Sequence, residues 1–167
     1  EMVRALVLFD PVFPRPRGVK PPHSPQTSRL IEGALRRRRA FESAEAAIEA
    51  YVGRGAFKSW PRQTVVDYVN YGVRPAGDGV ELACTPEWEA SNFNAQGTDL
   101  WAPLDRLSRP LTIFKAEHGS TCLLSADTPE IASHADRSVT QVEGASHFLP
   151  MERPEIVQAA LLKACGA

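Results

Sequence analysis

The sequence has few cysteines and no pattern among them. Cys84, Cys122 and Cys165 are far apart and odd in number. They make neither a disulfide framework nor a CxxC metal site, and the expected setting is reducing and cytoplasmic. An excess of charge of one sign is also missing. The net charge of −1 offers no general attraction to nucleic acid or to an anionic membrane. No apolar run approaches the roughly 18 residues of a membrane span, and residues 1–30 are broken by prolines rather than continuously apolar like a secretory leader. There is no internal repeat. What remains is the composition of an ordinary soluble globular protein, 43% hydrophobic and 23% charged. Its 167 residues suit one domain, or one domain and part of another.

The chain opens Glu1-Met2-Val3-Arg4 and runs at once into Ala5-Leu6-Val7-Leu8-Phe9, ending at Asp10-Pro11. An apolar run without alternation predicts a strand buried on both faces, the habit of parallel sheets flanked by helices. A soluble protein seldom starts so close to a central strand, and a segment upstream of Glu1 is expected. The stretch Pro11 to Pro25 holds six prolines and is read as a loop.

Residues 26–100 read as helical. Ser28 is a candidate cap for a helix through Leu30, Ile31, Ala34 and Leu35. Ser43 caps the next, with Ala44, Ile48, Tyr51 and Val52 on one face and Gly53 as the stop. Pro61 suits the first position of a third helix, with Val65, Val66 and Val69 inward and Gly72 at its end. Thr85-Pro86-Glu87 starts a fourth that carries Trp88 and Phe93 before Gly97. Val80 to Cys84 is the one candidate strand in this region.

The remainder returns to α/β character. Leu111 to Phe114 predicts a second strand and Ser138 to Val142 a third, with a short capped helix at Asp127-Thr128-Pro129-Glu130-Ile131 between them. Pro154 opens a last helix whose Val157, Ala160, Leu161 and Ala164 form a stripe to pack on the sheet. Strands alternating with helices imply a parallel sheet, and such sheets bind ligands at the C-terminal ends of their strands. Asp10, Glu117 to Ser120, and His147 follow the three strands directly.

The stretch Val142-Glu143-Gly144-Ala145-Ser146-His147-Phe148-Leu149-Pro150-Met151-Glu152-Arg153-Pro154-Glu155 closely resembles the catalytic-histidine segment of α/β-hydrolases. That segment is a small-residue turn, His, a few apolar residues, then Glu-x-Pro before the last helix. Val3 to Pro11 is similar to the sixth strand of that fold and residues 110–122 to the seventh. The resemblance implies the C-terminal part of an α/β-hydrolase sheet with a helical lid inserted after its first strand. Residues 1–15 would be core strand and loop, 16–105 the lid, and 106–167 the C-terminal core with the histidine loop. It further implies that His147 is general base and acid, as acyl transfer by serine requires a group that takes the hydroxyl proton and returns it to the leaving group.

The family's serine sits in a Gly-x-Ser-x-Gly elbow, and no such pattern occurs here; Gly144-Ala145-Ser146-His147-Phe148 and Gly119-Ser120 both fail it. The nucleophile is therefore expected in an N-terminal half that this chain lacks and needs, and the chain alone is expected to be inactive. Most relatives place the acid just past strand seven, where Ala116-Glu117-His118-Gly119-Ser120 has Gly119. Others place it at the end of strand six, where Asp10 stands. Asp10 is the expected partner of His147, with Glu117 the alternative. The implied substrate is a carboxylic ester or related acyl compound in an apolar pocket, lined under the lid by Trp60, Tyr68, Tyr71, Trp88 and Phe93 unless these form the core of the lid itself. Epoxide hydrolases and dehalogenases, with an Asp nucleophile, share the fold, and a truncated non-catalytic binding protein is the reading of a different class. His118 reads as a surface or hydrogen-bonded loop residue, with a role at the site the alternative; His23 and His134 lie in loop or helix-end contexts without partners, no close set of ligands implies a metal, and no cofactor is expected. Arg36 to Arg39 read as a solvated face or lid hinge rather than a nucleic-acid site.

Overall fold

A computed structural model describes residues 3–13, 25–95 and 99–166. Its elements in chain order are β1 (Leu6–Phe9), α1 (Pro25–Leu35), β2 (Ala40–Phe41), α2 (Ala44–Tyr51), a 3-10 turn (Gly55–Phe57), α3 (Arg62–Gly72), β3 (Val73–Ala76), β4 (Gly79–Leu82) and α4 (Pro86–Asn94). They continue with α5 (Trp101–Asp105), β5 (Leu111–His118), α6 (Pro129–Ala132), β6 (Arg137–Ser146), α7 (Leu149–Glu152) and α8 (Pro154–Cys165). The chain forms two compact units, Glu1–Val19 with Asp99–Ala167, and the inserted Lys20–Thr98.

The first unit is built on a parallel sheet in the order β1-β5-β6. Leu6 pairs with Leu111 and Leu8 with Ile113, so these four share one face. Leu111 and Ile113 are buried with Phe13, Leu104, Cys122, Leu124 and Ile131, and Leu6, Leu8, Trp101 and Val139 pack against them. On the other face Phe9 stacks on Phe114 with ring centroids 5.4 Å apart. The expectation that the first strand is buried on both faces needs correction: Leu6–Phe9 are all half-buried, because β1 has β5 on one side and no other strand beside it among the described residues. Helix α8 begins at Pro154 as expected. Its Ala160 is buried and Val157 and Ala164 half-buried, but Leu161 is largely exposed, so the inward stripe is narrower than its spacing implied.

The inserted unit holds α1 to α4 and a second sheet, antiparallel and in the order β2-β4-β3. Ser43 accepts a hydrogen bond from the Ala46 N–H and Thr85 one from the Trp88 N–H, each satisfying a donor that helix geometry leaves free. Helix α1 begins at Pro25, so Ser28 lies inside it rather than capping it; proline's fixed φ suits a first helical position. The single strand sought near Val80 to Cys84 is β4, and it has two partners that the pattern did not reveal. Pro75 in β3 is compatible with pairing because β3 is an edge strand. The arginine tract is not on a helix, since α1 stops at Leu35. Arg36 pairs with Glu32, Arg37 with Glu89 and Arg39 with Glu81, while the Arg38 guanidinium lies over the Phe41 ring.

Candidate active site

The site lies at the C-terminal ends of β1, β5 and β6. Asp10 closes β1 with φ +41°, the left-handed region, which Asp tolerates better than most residues because its short side chain bonds locally. Its N–H donates to the Phe114 carbonyl at 2.7 Å, so the turn begins while the chain is still tied to β5. After the turn, the chain pairs with the loop that follows β5: the Phe13 N–H donates to the Thr121 carbonyl and the Leu123 N–H to the Phe13 carbonyl, each at 3.0 Å. This lacing brings Ser120 and Thr121 onto the Asp10 carboxylate.

Four donors converge on that carboxylate at normal distances. Oδ1 accepts from the Ala116 N–H at 2.8 Å and the Ser120 hydroxyl at 2.6 Å. Oδ2 accepts from the Thr121 N–H at 3.0 Å and lies 2.8 Å from Nδ1 of His147. Asp10 is 1% exposed. Burial alone would push its carboxyl up, but the hydrogen bonds from Ser120, Ala116, His147 and Thr121 outweigh it and hold the group below the ordinary carboxylate value.

His147 reaches this acid because β6 is irregular at its end. Ala116 pairs with Val142 and His118 with Ser146, so β6 carries extra residues between those pairs. Gly144 sits in that bulge at φ +67°, a conformation that suits glycine. The Glu117 carboxylate accepts the Gly144 N–H at 2.7 Å. Beyond the bulge, the Glu152 carboxylate accepts from the Ser146 N–H at 2.8 Å and from its hydroxyl at 2.7 Å. The Phe148 N–H donates to the same hydroxyl at 3.2 Å. Glu152 is buried. Main chain on both sides of His147 is thus held, while the ring keeps 37% of its surface exposed beside a fully buried acid.

The two residues singled out for catalysis, Asp10 and His147, are therefore adjacent. Glu117 is on the bulge and not on the ring. His118 is exposed and faces Glu117 at 3.5 Å; His134 is exposed at a turn; His23 lies outside the described residues. Trp60 is buried and packs edge-on against Tyr68 and Phe57, in a cluster that also includes Tyr51 and Phe41. Tyr71 and Trp88, at 89% and 66% exposure, line no core. Among the described residues no group of His, Cys, Asp and Glu stands where it would hold a metal ion, and no helix is long and apolar enough to cross a membrane. The sequence marks Ser120 as a strand-end residue without a role at the acid, and it does not single out Thr121 or Glu152. The signals were a pair of hydroxyl residues beside Gly119, where an acid was sought, and the Glu of the Glu-x-Pro pattern itself.

No family model and no curated protein matches the chain, but solved structures do. One is an E-2-(acetamidomethylene)succinate hydrolase, 20% identical with a TM-score of 0.58, matched over 84% of this chain and 53% of its own. Another is the peroxisomal alpha-beta-hydrolase of Saccharomyces cerevisiae, 17% identical with a TM-score of 0.62, over 95% of this chain and 45% of its own. A third is an esterase of M. tuberculosis, 19% identical with a TM-score of 0.59, over 85% of this chain and 48% of its own. The chain spans about half the length of these structures. With a parallel β1-β5-β6 sheet, a unit inserted after β1 and a histidine loop before the last helix, the chain has the fold of the C-terminal part of an α/β-hydrolase.

Proposed function

We propose that this chain supplies the base and the acid of a Ser-Asp-His triad that hydrolyses a carboxylic ester or a related acyl substrate. The observation that carries the reading is the 2.8 Å contact between Asp10 Oδ2 and His147 Nδ1 at the C-terminal edge of the sheet. A carboxylate on Nδ1 holds the proton there, leaves Nε2 with a lone pair, and stabilises the imidazolium once Nε2 has taken the proton of a serine hydroxyl. His147 then returns that proton to the leaving alcohol, and in the second half-reaction takes one from water. Asp10 keeps its charge throughout.

The serine is proposed to lie in a Gly-x-Ser-x-Gly elbow encoded ahead of Glu1, since no such pattern occurs among these 167 residues. The test is covalent labelling with a fluorophosphonate, which reacts with a serine activated by its histidine. A longer translation product that includes an upstream elbow is expected to label at that serine, and residues 1–167 alone are expected not to label. Labelling within residues 1–167 refutes the placement of the nucleophile. A coding sequence with no elbow upstream favours the non-catalytic binding protein, and an Asp in the elbow's serine position shifts the reaction to epoxide or halide chemistry.

A further inference from the structure

The loop after β5 carries no acid at Gly119, yet its next two residues both touch the acid that stands at Asp10. A carboxylate has about four acceptor sites. Ala116 N–H and the Ser120 hydroxyl take those of Oδ1; Thr121 N–H and His147 Nδ1 take those of Oδ2. The Thr121 hydroxyl, 3.4 Å from Oδ2, is a surplus donor there. It has two other acceptors, the main-chain oxygens of Asp10 and Pro11, each at 3.4 Å. Its oxygen lies closer to the ring than to any of these, 3.2 Å from His147 Nδ1.

The protonation state of Nδ1 follows from these distances. Were Nδ1 bare, its lone pair would face an ionised carboxylate oxygen at 2.8 Å with no hydrogen between them. Nδ1 therefore carries the proton, and that proton has two acceptors, Asp10 Oδ2 and Thr121 Oγ1. We propose that Thr121 is a positioning residue of the triad, accepting a second branch of the His147 Nδ1–H while its own hydroxyl hydrogen turns to the Asp10 and Pro11 carbonyls. The inference rests on the triad reading for its purpose, the presentation of a bare Nε2. Its geometry stands without that reading. Thr121 is well placed for the task because its carbonyl and N–H are both tied down, to the Phe13 N–H and to Asp10 Oδ2. Ser120 acts one step further back, by holding Asp10 ionised and oriented.

The test is nitrogen NMR at alkaline pH of the full translation product that contains residues 1–167, labelled with 15N-histidine; the two ring nitrogens of a neutral imidazole report its tautomer. In the unaltered chain, Nδ1 of His147 is expected to be protonated and its proton to exchange slowly with water. Thr121→Val keeps the shape and the main-chain N–H to Asp10 but removes the second acceptor. The loss of one hydrogen bond of about 1 kcal/mol corresponds to exchange of the Nδ1 proton faster by about fivefold. Thr121→Ser restores the hydroxyl and is expected to restore slow exchange. Should Thr121→Val fail to fold, Thr121→Ala reads the same quantity. A merely structural role would lower the melting temperature of the Val variant and leave tautomer and exchange as they were. Unchanged exchange in a folded Val or Ala variant, or no recovery in the Ser variant, overturns the proposal. Failure of the triad reading shows elsewhere, as turnover indifferent to His147, so the two outcomes are distinguishable.

Discussion

Asp10→Asn is isosteric, and Asn tolerates a φ of +41° as well as Asp does, so what changes is the pattern of donors and acceptors. With its NH2 at the Oδ1 position the amide meets the Ala116 N–H; with its NH2 at the Oδ2 position it meets the Thr121 N–H. Neither main-chain donor can turn away. Whichever way the amide points, one main-chain N–H, buried at Ala116 or part-buried at Thr121, loses its acceptor, and the bonds that remain are no longer to a charge. An unsatisfied buried donor costs about 1–3 kcal/mol and a hydrogen bond to a charged group contributes about 1.5–3, so a loss of about 3 kcal/mol is expected. That is a large share of a stability of about 5–15 kcal/mol. The orientation that sets NH2 at Oδ2 also drives the ring to the tautomer bare at Nδ1, so that Nε2 is protonated and cannot act as a base. The corresponding change in a serine-protease triad lowers kcat by about 10⁴. Urea unfolding of the variant measures the first effect, and the 15N shifts of His147 measure the second. A variant as stable as the parent, with Nδ1 still protonated, would refute the donor arrangement described for Asp10.

Glu152→Ala removes the acceptor of two hydrogen bonds from Ser146, and unfolding by urea is expected to show a loss of about 1–3 kcal/mol. Glu117→Ala, an exposed carboxylate on one main-chain N–H, should cost less than about 1 kcal/mol and leave the His147 tautomer unaltered. Because the Asp10 carboxyl is held below its ordinary value, its contribution is fully present above about pH 4 and is lost as the pH falls through the lower folded-state value. The stability gap between the parent and Asp10→Asn should accordingly narrow on acidification, and a gap independent of pH would contradict the assignment. Trp60→Ala is expected to cost about 3–5 kcal/mol because Trp60 is buried in the aromatic cluster, whereas Tyr71→Ala, at 89% exposure, should change stability by less than about 0.5 kcal/mol; thermal melts compare the two.

Much of this architecture is legible in the residues. Leu6 to Phe9, Leu111 to Phe114 and Ser138 to Val142 mark the parallel strands, and Ser43, Thr85 and Pro154 mark helix starts, because each signal is local. β5 and β6 run on past those cores through Lys115 to His118 and Glu143 to Ser146, where polar side chains hide strands held by their neighbour. β2 and β3 were not legible, since a two-residue strand and one with a central proline have no period to detect. Asp10 and His147 could be singled out because strand ends carry the chemistry of parallel sheets. The bonds of Ser120 and Thr121 to Asp10 could not be foreseen, because they span more than a hundred residues of sequence and depend on the pairing of Phe13 with Cys122. Glu152 lay within the motif, but only the fold shows its carboxylate turned back onto Ser146.

In the proposed reaction His147, oriented by Asp10, moves the proton of acyl transfer. The most direct test of this role is kcat/KM on a p-nitrophenyl ester for the longer product bearing an upstream elbow, with and without His147→Ala. If His147 is the triad base, the variant loses at least about 10³-fold. Activity within about tenfold of the parent would reduce His147 to a bystander and contradict that role.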